Sequence, residues 1–300
     1  MAGPGGARGI QFRTGLAASP LTAPSHASIL SGTDPPRHGV RDNGTFPLPE
    51  DVPTLATGLK ARGFATGGFV AAYPLIGRIG FARGFDVYDD AGEELTPAEA
   101  FGMAQRPGDQ VADAAAAWIR AQPPDARFFA WVHFFDAHAP YEPPLPWKSA
   151  AGGRDYAGDV AWTDDHLGRV IRFLELERPD AWLLLQADHG ESLGQHGEDT
   201  HAIFVYDATI RVPALLWPAP RGERPGLREG VFRNVDVPAT AFELLGFLPD
   251  AAPGNGISPL SDVAGPAYSE SLYPWFHYGW GELRAVREGR WTYIRAPESE

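Results

Sequence analysis

Three hundred residues, 44% of them hydrophobic, can bury a sizeable core and fit one large α/β domain over residues 1–300 better than two small ones; 35 glycines and 29 prolines beside 9 tryptophans and 17 phenylalanines mean many loops rather than disorder. A formal charge of -13 excludes a protein that grips nucleic-acid phosphates through clustered Lys and Arg, so an anionic substrate has to be held by local cations or a metal. With no cysteine there is neither a disulfide nor a thiolate site, and the compartment stays open.

In chain order, residues 1–8 are small and Gly-rich and lack the apolar core of a signal peptide. Pro24 suits a first helical position and Gly32 a helix stop, so a short helix is predicted with Thr22 and Ala23 just ahead of it, facing its free amides. A helix over 54–62 behind Pro53, a strand over 65–72, an Ala-rich helix over 98–121 and a strand over 128–135 follow. Residues 140–154 read as a loop, and 159–175 as a helix with Val160, Leu167, Val170, Ile171 and Leu174 at helical spacing. Strands over 182–187 and 213–217, a loop over 218–227 and a helix over 235–245 complete the pattern. Apolar strands alternating with helices predict a mainly parallel sheet covered on both faces. No apolar run reaches the roughly 20 residues that span a bilayer.

Three segments carry chemistry. The strand over 182–187 ends in Asp188-His189-Gly190-Glu191, which puts a carboxylate and an imidazole at a sheet edge, where open α/β folds place their sites. Alone, Asp188 could merely cap the strand; His196, His201, Glu198 and Asp199 in the same loop tip the balance towards metal or anion binding. Thr22-Ala23-Pro24-Ser25-His26 offers a hydroxyl to a phosphate or sulfate, or simply an N-cap. The strand over 128–135 runs into Asp136-Ala137-His138-Ala139-Pro140-Tyr141, and His133 within it reads as a satisfied core histidine. Tyr273, Trp275, Phe276, Tyr278 and Trp280 form either an aromatic wall for a sugar or aryl group or the filling of a C-terminal core.

Taken in order, Thr22-x-Pro24-Ser25-His26 with Ser31-Gly32, Pro36, His38-Gly39 and Asn43, then Asp136-x-His138-x-Pro140-Tyr141, then Asp188-His189-Gly190-Glu191 with His196-Gly197, Tyr206 and Val212-Pro213, resemble the sulfatase-like family of the alkaline phosphatase superfamily. The resemblance runs from near residue 9 to the end. It implies an alkaline-phosphatase-like three-layer α/β/α sandwich and a metal-dependent hydrolase or transferase of sulfate or phosphate esters that works through a covalent intermediate. It aligns Thr22 with the nucleophile, Asp188 and His189 with ligands of a divalent metal ion (Ca, Mg, Mn or Zn), and His138 and His201 with groups facing the anion or the leaving oxygen. The partner implied is a small-molecule or glycan sulfate or phosphate ester.

The chain departs from that family at named places. Thr22 stands where sulfatases carry the Cys or Ser that becomes formylglycine, and a threonine cannot yield that aldehyde, so the chemistry leans towards phosphate. His26 replaces an arginine, and His201 a lysine, so fixed charges become titratable ones. Family members also begin with a strand ending in Asp or Asp-Asp, absent from residues 1–8, and the expectation is a domain short of that strand and of the extreme C-terminal part. The competing expectation is a non-catalytic domain that has kept the fold and lost its full metal site.

Overall fold

A computed structural model describes residues 8–90, 106–248, 251–261, 263 and 265–297. The described strands, in chain order, are β1 (Ile10–Leu16), β2 (Ala65–Phe69), β3 (Val87–Asp89), β4 (Phe128–Val132), β5 (Leu183–Gln186) and β6 (Arg211–Val212). They continue with β7 (Ala214–Trp217), β8 (Gly226–Arg233), β9 (Ala267–Ser271), β10 (Leu283–Glu288) and β11 (Trp291–Arg295). The chain divides into two compact units, one made of residues up to 58 together with those from 182 on, the other of residues 59–181. Among the described residues no helix is long and apolar enough to cross a membrane.

The first unit is built on a five-stranded sheet ordered β5-β7-β1-β6, with β8 also paired to β1. β1 is flanked by β8 in parallel and by β6 and β7 in antiparallel sense. Ile10, Phe12 and Leu16 of β1 are buried, and Phe12 meets Phe232 of β8 edge to face with centroids 5.0 Å apart. The register slips between Phe12 and Thr14, so that Glu229 and Gly230 together oppose Arg13. Gly230 takes φ 138 there, a conformation that favours glycine at a bulge, and Arg13 Nε donates to Glu229 at 2.6 Å. β7 is buried throughout, as a four-residue apolar run between two neighbours should be. A second, antiparallel sheet, β11-β10-β9, is tied to the end of β1: Ser269 Oγ donates to the Ala17 carbonyl at 2.6 Å and the Glu270 amide to that of Ala18 at 3.0 Å.

The second unit holds the parallel sheet β3-β2-β4. The helix Gly108–Ala121 lays Val111 and Ala115 on Phe69 and Ala71. Its first turn is closed by Asp136, whose Oδ1 accepts the Gly108 amide at 2.9 Å. A methyl group at position 108 would sit 2.3 Å from Asp136 Oδ2, so only glycine fits. Asp136 is thus a buried helix cap.

The long helix Asp155–Glu177 places Asp159, 1% exposed, near that cap. Burial first, and then the negative charge of Asp136, raise the Asp159 carboxyl to about 6; Asp155 and Glu142 add to the repulsion, while the Glu142 amide opposes it by hydrogen bonding. Below the unfolded value near 3.8 both states are protonated and the burial is neutral; as pH climbs towards 6 the unfolded chain ionises first and the folded state loses stability. Asp159→Asn, which still accepts that amide, is therefore expected to raise stability at pH 7 by about 1–2 kcal/mol and to leave it nearly unchanged at pH 4. Thermal unfolding followed across pH 4 to 7 checks this; equal shifts at both ends would contradict it.

The α/β class and most interior elements agree with expectation. The helix predicted over 98–121 is seen as Gly108–Ala121, residues 98–105 of that prediction lying outside those described. The reading of residues 1–7 lies outside them too. Two differences stand out. The loop predicted over 140–154 contains the helix Leu145–Ala150, with Pro144 at its N-cap and Pro146 in its first turn, where a missing N–H costs no helical bond. The parallel arrangement is met in the β3-β2-β4 sheet, whereas the β5-β7-β1-β6 sheet is mixed. An apolar run reads as a buried strand whichever way its neighbours run, so the sequence pattern carries no direction.

Candidate active site

The helix that follows β1 spans Thr22–Ser31, and all ten of its residues are buried. It begins two residues earlier than Pro24 implied. Leu21 is extended, at φ -134 and ψ 141, and the Ser25 amide already bonds the Leu21 carbonyl, so Pro24 sits inside the first turn, where its missing N–H leaves no gap. Gly32 ends the helix at φ 67, its amide returning to the Ser28 carbonyl at 2.9 Å. Thr22 is therefore the first helical residue. Ala23, expected just ahead of the helix, is its second residue, and its amide is taken by Asn43 Oδ1 at 2.8 Å.

Ser25 locks the approach to this helix. Its hydroxyl donates to the Ser19 carbonyl at 2.7 Å and accepts the Ser19 amide at 3.2 Å. His38 has a similar role: its Nδ1 accepts the Val40 amide at 3.1 Å, which leaves Nε2 to donate to Ser28 Oγ at 3.0 Å. Burial drives the His38 imidazole down to about 3, with Arg41 acting in the same direction, so it is neutral and structural at physiological pH.

β5 delivers Asp188 and His189 just beyond its last residue. Gly190 is held by its amide to the Thr209 carbonyl at 2.7 Å, and a Cβ there would stand 2.3 Å from the Ala208 carbonyl oxygen. Only glycine lets the chain press against that turn and aim His189 back at the helix. His189 Nδ1 lies 2.9 Å from the Gly190 carbonyl, which can only accept, so Nδ1 carries the proton and Nε2 presents its lone pair. That Nε2 is 3.4 Å from Thr22 Oγ1 and 3.5 Å from Asp188 Oδ2. His26 Nε2 is also 3.5 Å from Asp188 Oδ2. Burial lowers the His26 pKa to about 4 against the pull of Asp188, with His189 adding a smaller repulsion.

His201 comes from the loop after β5. Its Nδ1 faces the Glu191 carboxylate at 3.2 Å, and its ring lies over that of His189 with centroids 4.1 Å apart. Glu198 holds the loop by accepting the amides of Ile203 at 2.6 Å and Phe204 at 3.2 Å, and burial raises its pKa. His196 turns elsewhere, at φ 59, with its ring stacked on Tyr206.

Thr22, Asp188, His189 and His201 are therefore linked in one unit, each touching His189 or being it. His138 belongs to the other unit, where its ring stacks on Phe135 at 4.2 Å and its Nδ1 donates to the Ala139 carbonyl at 2.6 Å. His133 is buried on that same unit, with the Ala71 amide 3.4 Å from its Nδ1. Sequence reasoning did not pair His26 with Asp188, or His201 with Glu191. The second pairing had a signal, since Glu191 belongs to the same Asp-His-Gly-Glu run; the first had none.

A divalent cation fits this donor set on electrostatic grounds. A carboxylate oxygen and a bare imidazole lone pair at 3.5 Å repel one another until a proton or a cation stands with them, and a hydroxyl oxygen lies within reach of the same nitrogen. Imidazoles suit a borderline metal such as zinc, whereas the carboxylate and the hydroxyl also suit harder ions such as manganese.

The family model for Sulfatase matches residues 5–247. Among curated proteins, the chain is 30% identical over 135 residues to the uncharacterized sulfatase YidJ of Escherichia coli (strain K12), 42% of this chain and 25% of that protein. It is 30% identical over 147 residues to choline-sulfatase of Rhizobium meliloti (strain 1021), 47% of this chain and 28% of that protein. The matched segments thus span about a quarter of the length of these relatives. The solved phosphonate monoester hydrolase of Agrobacterium radiobacter superposes with a TM-score of 0.76 at 18% identity, covering 97% of this chain and 81% of its own. A second solved structure, in complex with its substrate D-glucosamine-2-N,6-O-disulfate, gives a TM-score of 0.76 at 16% identity, covering 97% and 82%. At these identities the structural likeness fixes the alkaline-phosphatase-like fold, and the family match over most of the sequence does the rest: this chain belongs to the sulfatase family.

Proposed function

We propose that the chain hydrolyses phosphate esters, with sulfate esters as the slower class, through attack by the Thr22 hydroxyl. One observation carries this reading: Thr22 Oγ1 opens a buried helix and lies 3.4 Å from His189 Nε2, with Asp188 behind it. Asp188, His189 and Thr22 are the residues that would hold a divalent metal ion, Ca, Mg, Mn or Zn. When bound, such an ion supplies positive charge that favours the Thr22 alkoxide and offsets the ester oxygens.

The residues divide the remaining work. Thr22 loses its proton to solvent and its Oγ1 bonds to phosphorus. The ester oxygen departs with a proton from His201, whose ring is oriented by Glu191. Water then attacks phosphorus of the phosphothreonine, its proton restoring His201; the Oγ1–P bond breaks and Thr22 Oγ1 takes a proton back from solvent. Ser25 and His38 hold the backbone under Thr22. His138 is assigned to the anion on its place in the Asp136-x-His138-x-Pro140 motif alone.

An unmodified threonine decides the substrate order. Sulfatases attack with an aldehyde hydrate, which can expel its sulfate without water having to reach sulfur, and Thr22 cannot supply one. Turnover of bis-(p-nitrophenyl) phosphate and p-nitrophenyl sulfate, compared side by side with added Mn, Zn, Mg and Ca, is expected to favour the phosphate by at least ~10²-fold, an ordinary span for such discrimination. Turnover of the sulfate alone would overturn the assignment.

A further inference from the structure

Backbone strain gathers in the loop that follows β5. Among the described residues the three non-glycines with positive φ all lie in it: Leu193 at φ 52, His196 at φ 59 and Ala202 at φ 101. The first two fall in the small left-handed region that side chains can adopt. Ala202 falls outside it, in backbone space that a Cβ makes costly. It is buried and directly follows His201, the residue that gives the leaving oxygen its proton.

A conformation of that kind persists only where its surroundings impose it. Here the restraints can be named. On one side of His201 the Thr200 carbonyl accepts the Ser192 amide at 2.7 Å. On the other, the Ala202 carbonyl accepts the hydroxyl of Ser271, and the next two amides, of Ile203 and Phe204, go to the Glu198 carboxylate at 2.6 and 3.2 Å. Between them His201 Nδ1 faces Glu191 at 3.2 Å and its ring lies 4.1 Å from that of His189. Ser192 and Glu198 belong to the loop and move with it, whereas Ser271 is 69 positions away, buried at the end of β9. That strand is tied to the end of β1 through Ser269 and Glu270, and the helix carrying Thr22 follows β1. Ser271 Oγ also accepts the Tyr273 amide at 3.3 Å, which leaves its proton for Ala202.

We infer that Ser271 is a positioning residue for His201: its hydroxyl holds the Ala202 peptide at positive φ, and this keeps the imidazole against Glu191 and over His189, aimed at the departing oxygen. Without the hydroxyl, alanine relaxes towards negative φ, and the peptide that joins it to His201 turns with it. One hydrogen bond therefore controls more than its own strength, because its loss releases the strain as well. The inference rests on His201 as the group that protonates the leaving oxygen and adds the residue that aims it.

Two diesters read the effect, with Mn added. p-Nitrophenolate departs readily as the anion, whereas phenolate departs far better with a proton, so an ill-placed acid slows diphenyl phosphate and largely spares bis-(p-nitrophenyl) phosphate. Ser271→Ala is expected to lower kcat on diphenyl phosphate by at least ~10-fold and on bis-(p-nitrophenyl) phosphate by less than ~3-fold. In the double variant Ala202→Gly/Ser271→Ala the positive φ carries no Cβ penalty, so turnover of diphenyl phosphate should return to within ~3-fold of the parent, and the strain that could unfold the single variant is gone. At one fixed pH, nitrogen resonances of the His201 ring should move in Ser271→Ala and return to the parent's positions in the double variant, a readout that needs no turnover. An equal loss on both diesters, a double variant with the deficit of Ser271→Ala, or His201 resonances that match the parent's in Ser271→Ala would each overturn the inference. The acid assignment fails in a different arm: His201→Ala would then slow both diesters alike, and the inference would fall with it whatever Ser271→Ala does to the ring.

Discussion

Thr22→Ala is expected to lower turnover of an aryl phosphodiester by at least ~10³-fold, and Thr22→Ser to keep a measurable fraction of it, because loss of a covalent nucleophile removes the bond-forming atom while serine keeps it. The side chain is buried at 2% exposure, and trading a hydroxyl and a methyl for hydrogen at the first residue of a helix costs little, so the variant should unfold within a few degrees of the parent. The informative control is Ser25→Ala. Ser25 both donates to and accepts from the Ser19 backbone, so its removal should lower stability by about 1–2 kcal/mol, with activity falling only as the helix entry loosens. Steady-state kinetics and thermal unfolding of the three variants separate the roles. Were Ser25→Ala inactive and Thr22→Ala active, the attacking hydroxyl would be the other one.

How much of this was legible in the sequence depends on which side of each element meets the core. β7 and the helix Thr22–Ser31 are buried all round, and their composition announced them. β8 was missed because Gly226-Leu-Arg-Glu-Gly-Val-Phe-Arg233 mixes charges with two glycines; its pairing with β1 depends on a bulge that only the partner strand explains. β9, β10 and β11 were missed because β9 is polar, β10 is Leu-Arg-Ala-Val-Arg-Glu with its charges out of alternation, and β11 is largely exposed, so no period-2 apolar pattern survives. The site followed the same rule. Asp188, His189 and Thr22 were legible because each sits where an apolar or Pro-marked element breaks off into polar residues. The His26–Asp188 approach was not, since 162 positions of chain separate its members and nothing local in either segment requires the other. Composition alone does not say whether the aromatics of 273–280 fill a core, and exposure answers for three of them: Trp275, Tyr278 and Trp280 are more than half exposed and so do not.

Asp188→Asn is the second substitution expected to act strongly, and it addresses the cation rather than the nucleophile. The carboxylate has one oxygen at 3.5 Å from both His26 Nε2 and His189 Nε2, so it is the negative charge on which this donor set turns. Asparagine keeps the volume and removes that charge. With two imidazoles left beside a neutral amide, affinity for a divalent ion should fall by ~10²-fold or more, and turnover with it, whereas the fold should hold because Asp188 is not part of the core. Elemental analysis of the parent and the variant after equilibration with Mn or Zn reads the first effect, and kinetics across a metal titration reads the second. The two readouts constrain one another. If the parent retains no metal after equilibration yet hydrolyses phosphate esters at full rate in a chelator, then Asp188 acts on the His189 imidazole directly, holding it as the base that takes the Thr22 proton across the 3.4 Å separation, and Asp188→Asn would slow turnover without any metal response.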